Sequence, residues 1–138
     1  MTEATIINKS LFFAASRETV WEFLTDKEKL GTWFYPAEAN LTKGEDYVLL
    51  HKQEDGSLTK QCWGTVLEME APSKLVWTFS IAPLDGAMTT ITWTLEEALG
   101  GTRLSLKHEG VEAAGMGLLM GLDSGWDKHF GSLRTAIA

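Results

Sequence analysis

Between residues 45 and 109 apolar and polar side chains alternate with period two, whereas before and after that stretch apolar residues recur at helical spacing. Alternation puts every second side chain on one face of a strand; a repeat of three or four marks one face of a helix. Residues 5–13 (TIINKSLFF) are rich in β-branched and aromatic side chains and predict a first strand. Ser16 offers an N-cap, and Val20, Phe23 and Leu24 form the apolar face of a helix that ends near Thr25. Thr25-Asp26-Lys27-Glu28 has the spacing of a capping box. It predicts a second short helix carrying Leu30, Trp33 and Phe34, stopped by Pro36.

The alternating region divides at turn signals. Tyr47, Leu49 and His51 share one face of a strand, and Asp55-Gly56 turns the chain into a strand over 58–70. Pro72-Ser73 precedes a strand over 74–81 whose Leu75, Trp77, Phe79 and Ile81 lie on one side. After Asp85-Gly86, Ile91, Trp93 and Leu95 alternate with threonines; after Gly100-Gly101, Leu104, Leu106 and His108 alternate with Arg103, Ser105 and Lys107. Strands with one apolar and one polar face predict an antiparallel sheet buried on one side. A short strand after Pro36 would bring the count from six to seven. Residues 110–125 hold five glycines among Met116, Leu118, Leu119, Met120 and Leu122. At about 1 kcal/mol per interior helical glycine, the segment reads as a loop or a frayed helical turn. Asp123 or Ser124 then caps a final helix whose Trp126, Phe130, Leu133 and Ile137 form one buried stripe.

Seven strands at about 4.8 Å spacing span roughly 29 Å, and a helix of about 14 residues is only about 21 Å long and 10–12 Å wide. The sheet must therefore curl around the C-terminal helix, with the two short helices closing one end. The expected fold is α+β: a curved antiparallel sheet of six to seven strands wrapped around that helix, in a single domain over 1–138. Within it, the six tryptophans (Trp21, Trp33, Trp63, Trp77, Trp93 and Trp126) build either a dense core or the wall of an apolar pocket. We take them as a wall. The expected lining is Trp33, Phe34, Tyr47, Leu49, His51, Trp77, Phe79, Trp93, Leu106, His108, Met116, Leu119, Met120, Trp126 and Phe130. His108, His51 or an indole N–H would orient the polar end of a ligand. Residues 111–122, with their adaptable methionines, are a candidate gate over the mouth.

Composition narrows the partners. A net charge of −7 disfavours nucleic acid and anionic membrane surfaces, which call for clustered Lys and Arg. The single cysteine, Cys62, cannot form an internal disulfide, and MTEATIINKS lacks the pattern of a secretory signal, so a reducing cytoplasm is expected. No HxH, HExxH or cysteine-rich spacing suggests a metal, and no glycine-rich phosphate loop or nucleophile elbow suggests a cofactor or a catalytic serine. We therefore expect no metal, no cofactor and no catalytic residue, and a monomer or weak homodimer.

Several stretches together resemble a known family. They are Ala15-Ser16 through Val20-Trp21, Leu24-Thr25-Asp26, Leu30 to Trp33-Phe34, Gly64-Thr65-Val66-Leu67-Glu68 before Pro72, Leu75-Val76-Trp77-Thr78-Phe79, Gly101-Thr102-Arg103-Leu104-Ser105-Leu106 running into His108-Glu109-Gly110, and Gly125-Trp126 with Leu133 downstream. In this order they resemble the START-like superfamily (polyketide cyclases and birch-pollen-allergen-like proteins), and within it the homologues of the activator of the heat shock protein 90 ATPase. The resemblance implies a helix-grip fold over an apolar cavity. It implies binding of a small hydrophobic or amphipathic molecule, lipid or polyketide-like, between the C-terminal helix and the sheet. Two other functions stay open: a cyclase or hydro-lyase in which His108 moves a proton, and a chaperone ATPase-activating interaction module. Nothing in the chain corresponds to the co-chaperone's additional chaperone-binding domain.

Overall fold

The chain changes direction at each turn signal and lays six strands into one antiparallel sheet. A computed structural model describes residues 5–138; the first four, part of the stretch read as lacking a secretory signal, lie outside it. The strands are β1 (Ile7–Phe13), β2 (Asp46–Lys52), β3 (Leu58–Glu70), β4 (Lys74–Phe79), β5 (Thr89–Ala98) and β6 (Gly101–Glu109); the helices are α1 (Arg17–Thr25) and α2 (Gly115–Ile137). Their order across the sheet is β1-β6-β5-β4-β3-β2. Strands β2 to β6 follow one another as neighbours, while β1 pairs with β6 at the far edge, Ile7 opposite His108 and Phe13 opposite Thr102. The segment holding α1 must therefore carry the chain from one edge of the sheet to the other. In doing so it covers one end of the concave face with Val20, Leu24, Leu30 and Trp33, all buried. Ser16 caps α1 as its position predicts, accepting from the N–H of Thr19 at 3.2 Å.

The sheet's curvature has an identifiable origin in β3, at 13 residues the longest strand. Its register against β4 shifts between Val66 and Glu68, and pairing resumes only at the Trp63–Ser80 bridge. In the gap the Thr65 N–H donates to Thr78 Oγ1 (2.8 Å), and the Thr78 carbonyl accepts from the Tyr47 hydroxyl (2.6 Å). Side chains thus satisfy backbone groups that the bent ladder leaves unpaired. Gly64 permits the bend: a Cβ there would stand 2.0 Å from the Thr78 oxygen.

Three expectations are corrected. After Pro36 there is a single bridge, Ala37 to Leu49, rather than a strand, so the sheet has six strands. The second short helix is a four-residue 3-10 turn, Lys29–Thr32. Asp26 rather than Thr25 supports it, accepting from the N–H groups of Glu28 and Lys29 at 3.0 Å each. Finally, α2 starts at Gly115, runs 23 residues and is about 34 Å long. Within 111–122, Val111–Ala114 form a 3-10 turn and residues 115–122 are the first turns of α2; Asp123 and Ser124 lie inside the helix rather than capping it. Contacts outweigh the cost of its glycines. Leu119 and Leu122 pack against the core, and Lys9 of β1 reaches Asp123 (2.9 Å) and Asp127 (3.1 Å), one turn apart.

Two substitutions test these backbone constraints by chemical denaturation. Gly64→Ala is expected to cost about 3 kcal/mol, because the new methyl group and the Thr78 carbonyl cannot both stay in place. Leu99 is fully exposed at φ 49° and precedes Gly100 at φ 82° in the β5–β6 hairpin, a turn that favours Asn-Gly. Leu99→Asn is expected to raise stability by about 1 kcal/mol.

Candidate functional site

The concave face of the sheet is filled first by rings. Trp93 on β5 meets Trp33, Trp77, Trp126 and Phe130 edge-to-face, at centroid distances of 6.0, 5.9, 5.7 and 6.0 Å. This is the arrangement that ring quadrupoles prefer. Trp33 donates its indole N–H to the Phe23 carbonyl (2.7 Å). Among the described residues the indole N–H groups of Trp77 and Trp93 have no oxygen or nitrogen partner, and both rings pack against other aromatic rings. Most of the interior is thus a packed core, and the tryptophans fill it rather than wall a large hollow.

A smaller cavity survives at one end, open to solvent on one side, with a volume of about 130 Å³. Phe34 and Tyr35, from the segment after the 3-10 turn, form one wall, and Gln61 and Cys62 of β3 form another. Phe79 and Ile81 close it from the end of β4, and α2 contributes Gly121, Leu122, Gly125, Trp126 and His129. Two of these helix positions are glycines one turn apart, and a Cβ built on either meets nothing within 4 Å. The space exists because α2 presents no side chains there. Phe34 stacks on Trp126 at 5.3 Å and on Phe79 at 6.3 Å, so aromatic faces dominate the walls.

Of the residues expected to line a pocket, Phe34, Phe79 and Trp126 do so. Trp33, Tyr47, Leu49, Trp77, Trp93, Leu106, His108 and Phe130 are buried in the packed core and do not reach the cavity. His51 shares the parity of Tyr47 and Leu49 but is exposed, because it stands near the end of β2, beside Tyr35 and past the buried part of the strand. Met116 and Met120 are also exposed, at 70% and 63%. With Leu119 they border a separate surface groove against Ile6 and Ile7 of the N-terminal stretch, because the helical turn that carries them faces β1. Sequence reasoning missed Tyr35, Gln61, Cys62, Ile81, Gly121, Leu122, Gly125 and His129. Spacing gives a partial signal for these: Gly121, Gly125 and His129 follow one another at intervals of four and so share a helix face. Among the described residues, no group of three His, Cys, Asp or Glu side chains is placed to hold a metal ion.

His108 is locked into a chain of hydrogen bonds in the core. Trp126 Nε1–H donates to His108 Nδ1 (3.1 Å), His108 Nε2–H donates to Thr89 Oγ1 (2.8 Å), and the Thr89 hydroxyl donates to the Phe79 carbonyl (2.7 Å). The direction is set at both ends, since an indole N–H can only donate and a carbonyl can only accept. His108 is therefore the neutral Nε2–H tautomer, and a second proton on Nδ1 would confront the indole N–H. Burial pushes its pKa down to about 4. It lies outside the cavity with both nitrogens occupied, which removes the geometry required of a proton-transfer group acting on a bound ligand. Cys62 is 1% exposed, and burial raises its thiol pKa, so it is a neutral thiol rather than a thiolate nucleophile.

A curved six-stranded antiparallel sheet, a long C-terminal helix laid across it and a residual cavity between them define a helix-grip domain of the START-like class. More narrowly, residues 14–138 match the family described as activator of Hsp90 ATPase homolog 1-like protein, and the chain belongs to that family. Solved structures with the same fold include CalU16 from Micromonospora echinospora, 22% identical with a TM-score of 0.78 over 98% of this chain and 77% of that one. Protein MLL2253 from Mesorhizobium loti is 20% identical, with a TM-score of 0.80 over 96% of both chains. DynU16, described as a protein in the dynemicin biosynthetic locus, is 24% identical with a TM-score of 0.74; the match covers 94% of this chain and 46% of that one. At these identities the likeness is one of fold. Among curated proteins none matches the chain.

The His108 chain predicts a pH dependence of stability. Its pKa falls from an ordinary 6.5 to about 4 on folding, so between those values the unfolded chain binds the proton and the folded chain does not. Stability from this group is complete above pH 6.5 and is lost as the pH drops towards 4, on the order of 3 kcal/mol in all. Urea unfolding at a series of pH values should show this decline. In His108→Gln the slope between pH 6.5 and 4 should be smaller by up to one proton.

Proposed function

We propose that this protein binds a small hydrophobic or amphipathic molecule in the cavity between α2 and the sheet, and that the bound part is the size of one ring. The observation that carries the reading is a cavity left open by Gly121 and Gly125 and walled by Phe34, Phe79 and Trp126. A helix gains about 1 kcal/mol when an interior glycine becomes alanine, so two glycines at this point on α2 favour space over stability. The volume of about 130 Å³ compares with roughly 150 Å³ for an apolar cavity that takes up benzene. It is below the roughly 300–1,000 Å³ of sites that enclose a drug-sized ligand. A lipid or polyketide-like molecule would insert one end and leave the rest at the open side. Proteins of this fold class commonly hold hydrophobic ligands, and one structural relative comes from the dynemicin biosynthetic locus. The family name also brings chaperone regulation into view; the built cavity supports the small ligand more directly.

Gly121→Leu and Gly117→Leu test the assignment. Both glycines have free space where a Cβ would stand, but only Gly121 lines the cavity. Both variants should fold at least as stably as the parent by thermal unfolding. Toluene binding, followed by calorimetry, should weaken at least about tenfold in Gly121→Leu and stay unchanged in Gly117→Leu, since the new side chain occupies the ligand's volume. Unaltered toluene binding in Gly121→Leu would place the ligand elsewhere.

A further inference from the structure

The cavity's polar groups are few, and His129 is the most tightly positioned of them. Its Nδ1 lies 3.3 Å from the Trp33 carbonyl, which can only accept, so in the neutral ring this nitrogen carries the proton. Trp33 does not line the cavity, so the bond turns the Nδ1 edge away from it. The edge left for the cavity carries Nε2, a lone-pair acceptor with no partner among the described residues. Edge-on contacts with Phe34 (4.7 Å, 85°) and Tyr35 (5.6 Å, 66°) hold the ring in this orientation. Burial keeps its pKa below the ordinary 6.5, aided by the charge of Lys128 and opposed by the Trp33 carbonyl. Near pH 7 the ring is therefore neutral and keeps its lone pair.

Resting on the cavity reading above, we infer that the preferred occupant is a single aromatic ring bearing a hydrogen-bond donor, a phenol, whose hydroxyl donates to His129 Nε2 while the ring lies among Phe34, Phe79 and Trp126. The walls favour a flat ring over an alkyl chain, because offset-stacked and edge-on partners already surround the space. The lone pair selects the substituent. An ether or carboxylate oxygen would present its own lone pairs to Nε2, whereas a hydroxyl hydrogen satisfies it.

Calorimetric titration of phenol, anisole and toluene into the wild type and His129→Phe tests this. The preference for phenol over anisole in the wild type should fall about fivefold in His129→Phe, the worth of one neutral hydrogen bond. Nitrogen-15 spectra of the wild-type imidazole give a second measurement that needs no variant to fold. They should show the Nδ1–H tautomer in the free protein and a shift of the His129 Nε2 resonance with phenol but not with toluene. An Nε2–H tautomer in the free protein, or the same phenol preference in wild type and His129→Phe, overturns the role of His129. In those cases toluene binding still leaves the cavity reading standing. Failure of all three compounds to bind the wild type overturns both.

Discussion

Trp126 is the contact on which the rest of the interior depends. It stands on α2 where the helix crosses the concave face, stacked with Phe34 and Phe130 and edge-on to Trp93. Its N–H begins the hydrogen-bond chain through His108 and Thr89 to the Phe79 carbonyl, which ties helix, β6, β5 and the end of β4 together. A residue that buries a large apolar ring and also satisfies a polar atom fixes position more sharply than an aliphatic one could. With this helix position set, the neighbouring Gly125 and the turn before it face the end of the sheet. There the absence of two side chains leaves the cavity.

The same geometry separates two kinds of polar group that look alike in the sequence. His108 and His129 are both imidazoles near Trp126. The first has both nitrogens engaged inside the core and serves to close a network. The second has one nitrogen held by a backbone carbonyl and its ring at the cavity. Burial lowers both pKa values, but only His129 borders the cavity. The pair also illustrates why a perturbed pKa by itself is weak evidence of function: the larger shift belongs to the structural histidine.

Curvature is the third element of the design. An undistorted β3–β4 ladder would give a flatter sheet with less room for α2 and its rings. The bend is concentrated at Gly64, where the Thr78 carbonyl takes the space of a side chain and the Tyr47 hydroxyl takes the place of a ladder partner. Tyr47 therefore shapes the concave face without touching the cavity. At the other edge Lys9 pairs with Asp123 and Asp127 on the solvent side of α2, flanking Trp126.

Much of the fold was legible from local rules alone. Period-two alternation in β5 and β6 assigned Ile91, Trp93, Leu95, Leu104 and Leu106 to the buried side, and the Ser16 cap marked the start of α1, because such signals arise between residues close in sequence. The turn signals at Asp55-Gly56 and around Gly100 likewise marked which strands are neighbours, although the second turn is formed by Leu99-Gly100 and Gly101 already belongs to β6. Local rules failed where a distant partner decided the outcome. Glycine propensity argued against helix before residue 123, yet packing by Leu119 and Leu122 and the reach of Lys9 extended α2 back to Gly115. Parity placed His51 inward, yet it lies near the end of β2 beside Tyr35, past the buried part of the sheet, and stays exposed. The sequence by itself determined that aromatic surface would be concentrated between one sheet face and one helix. Tertiary packing settled that most of it would be filled and that a cavity of about 130 Å³ would be left at one end, because packing density depends on how separate elements interdigitate and not on any element's own pattern.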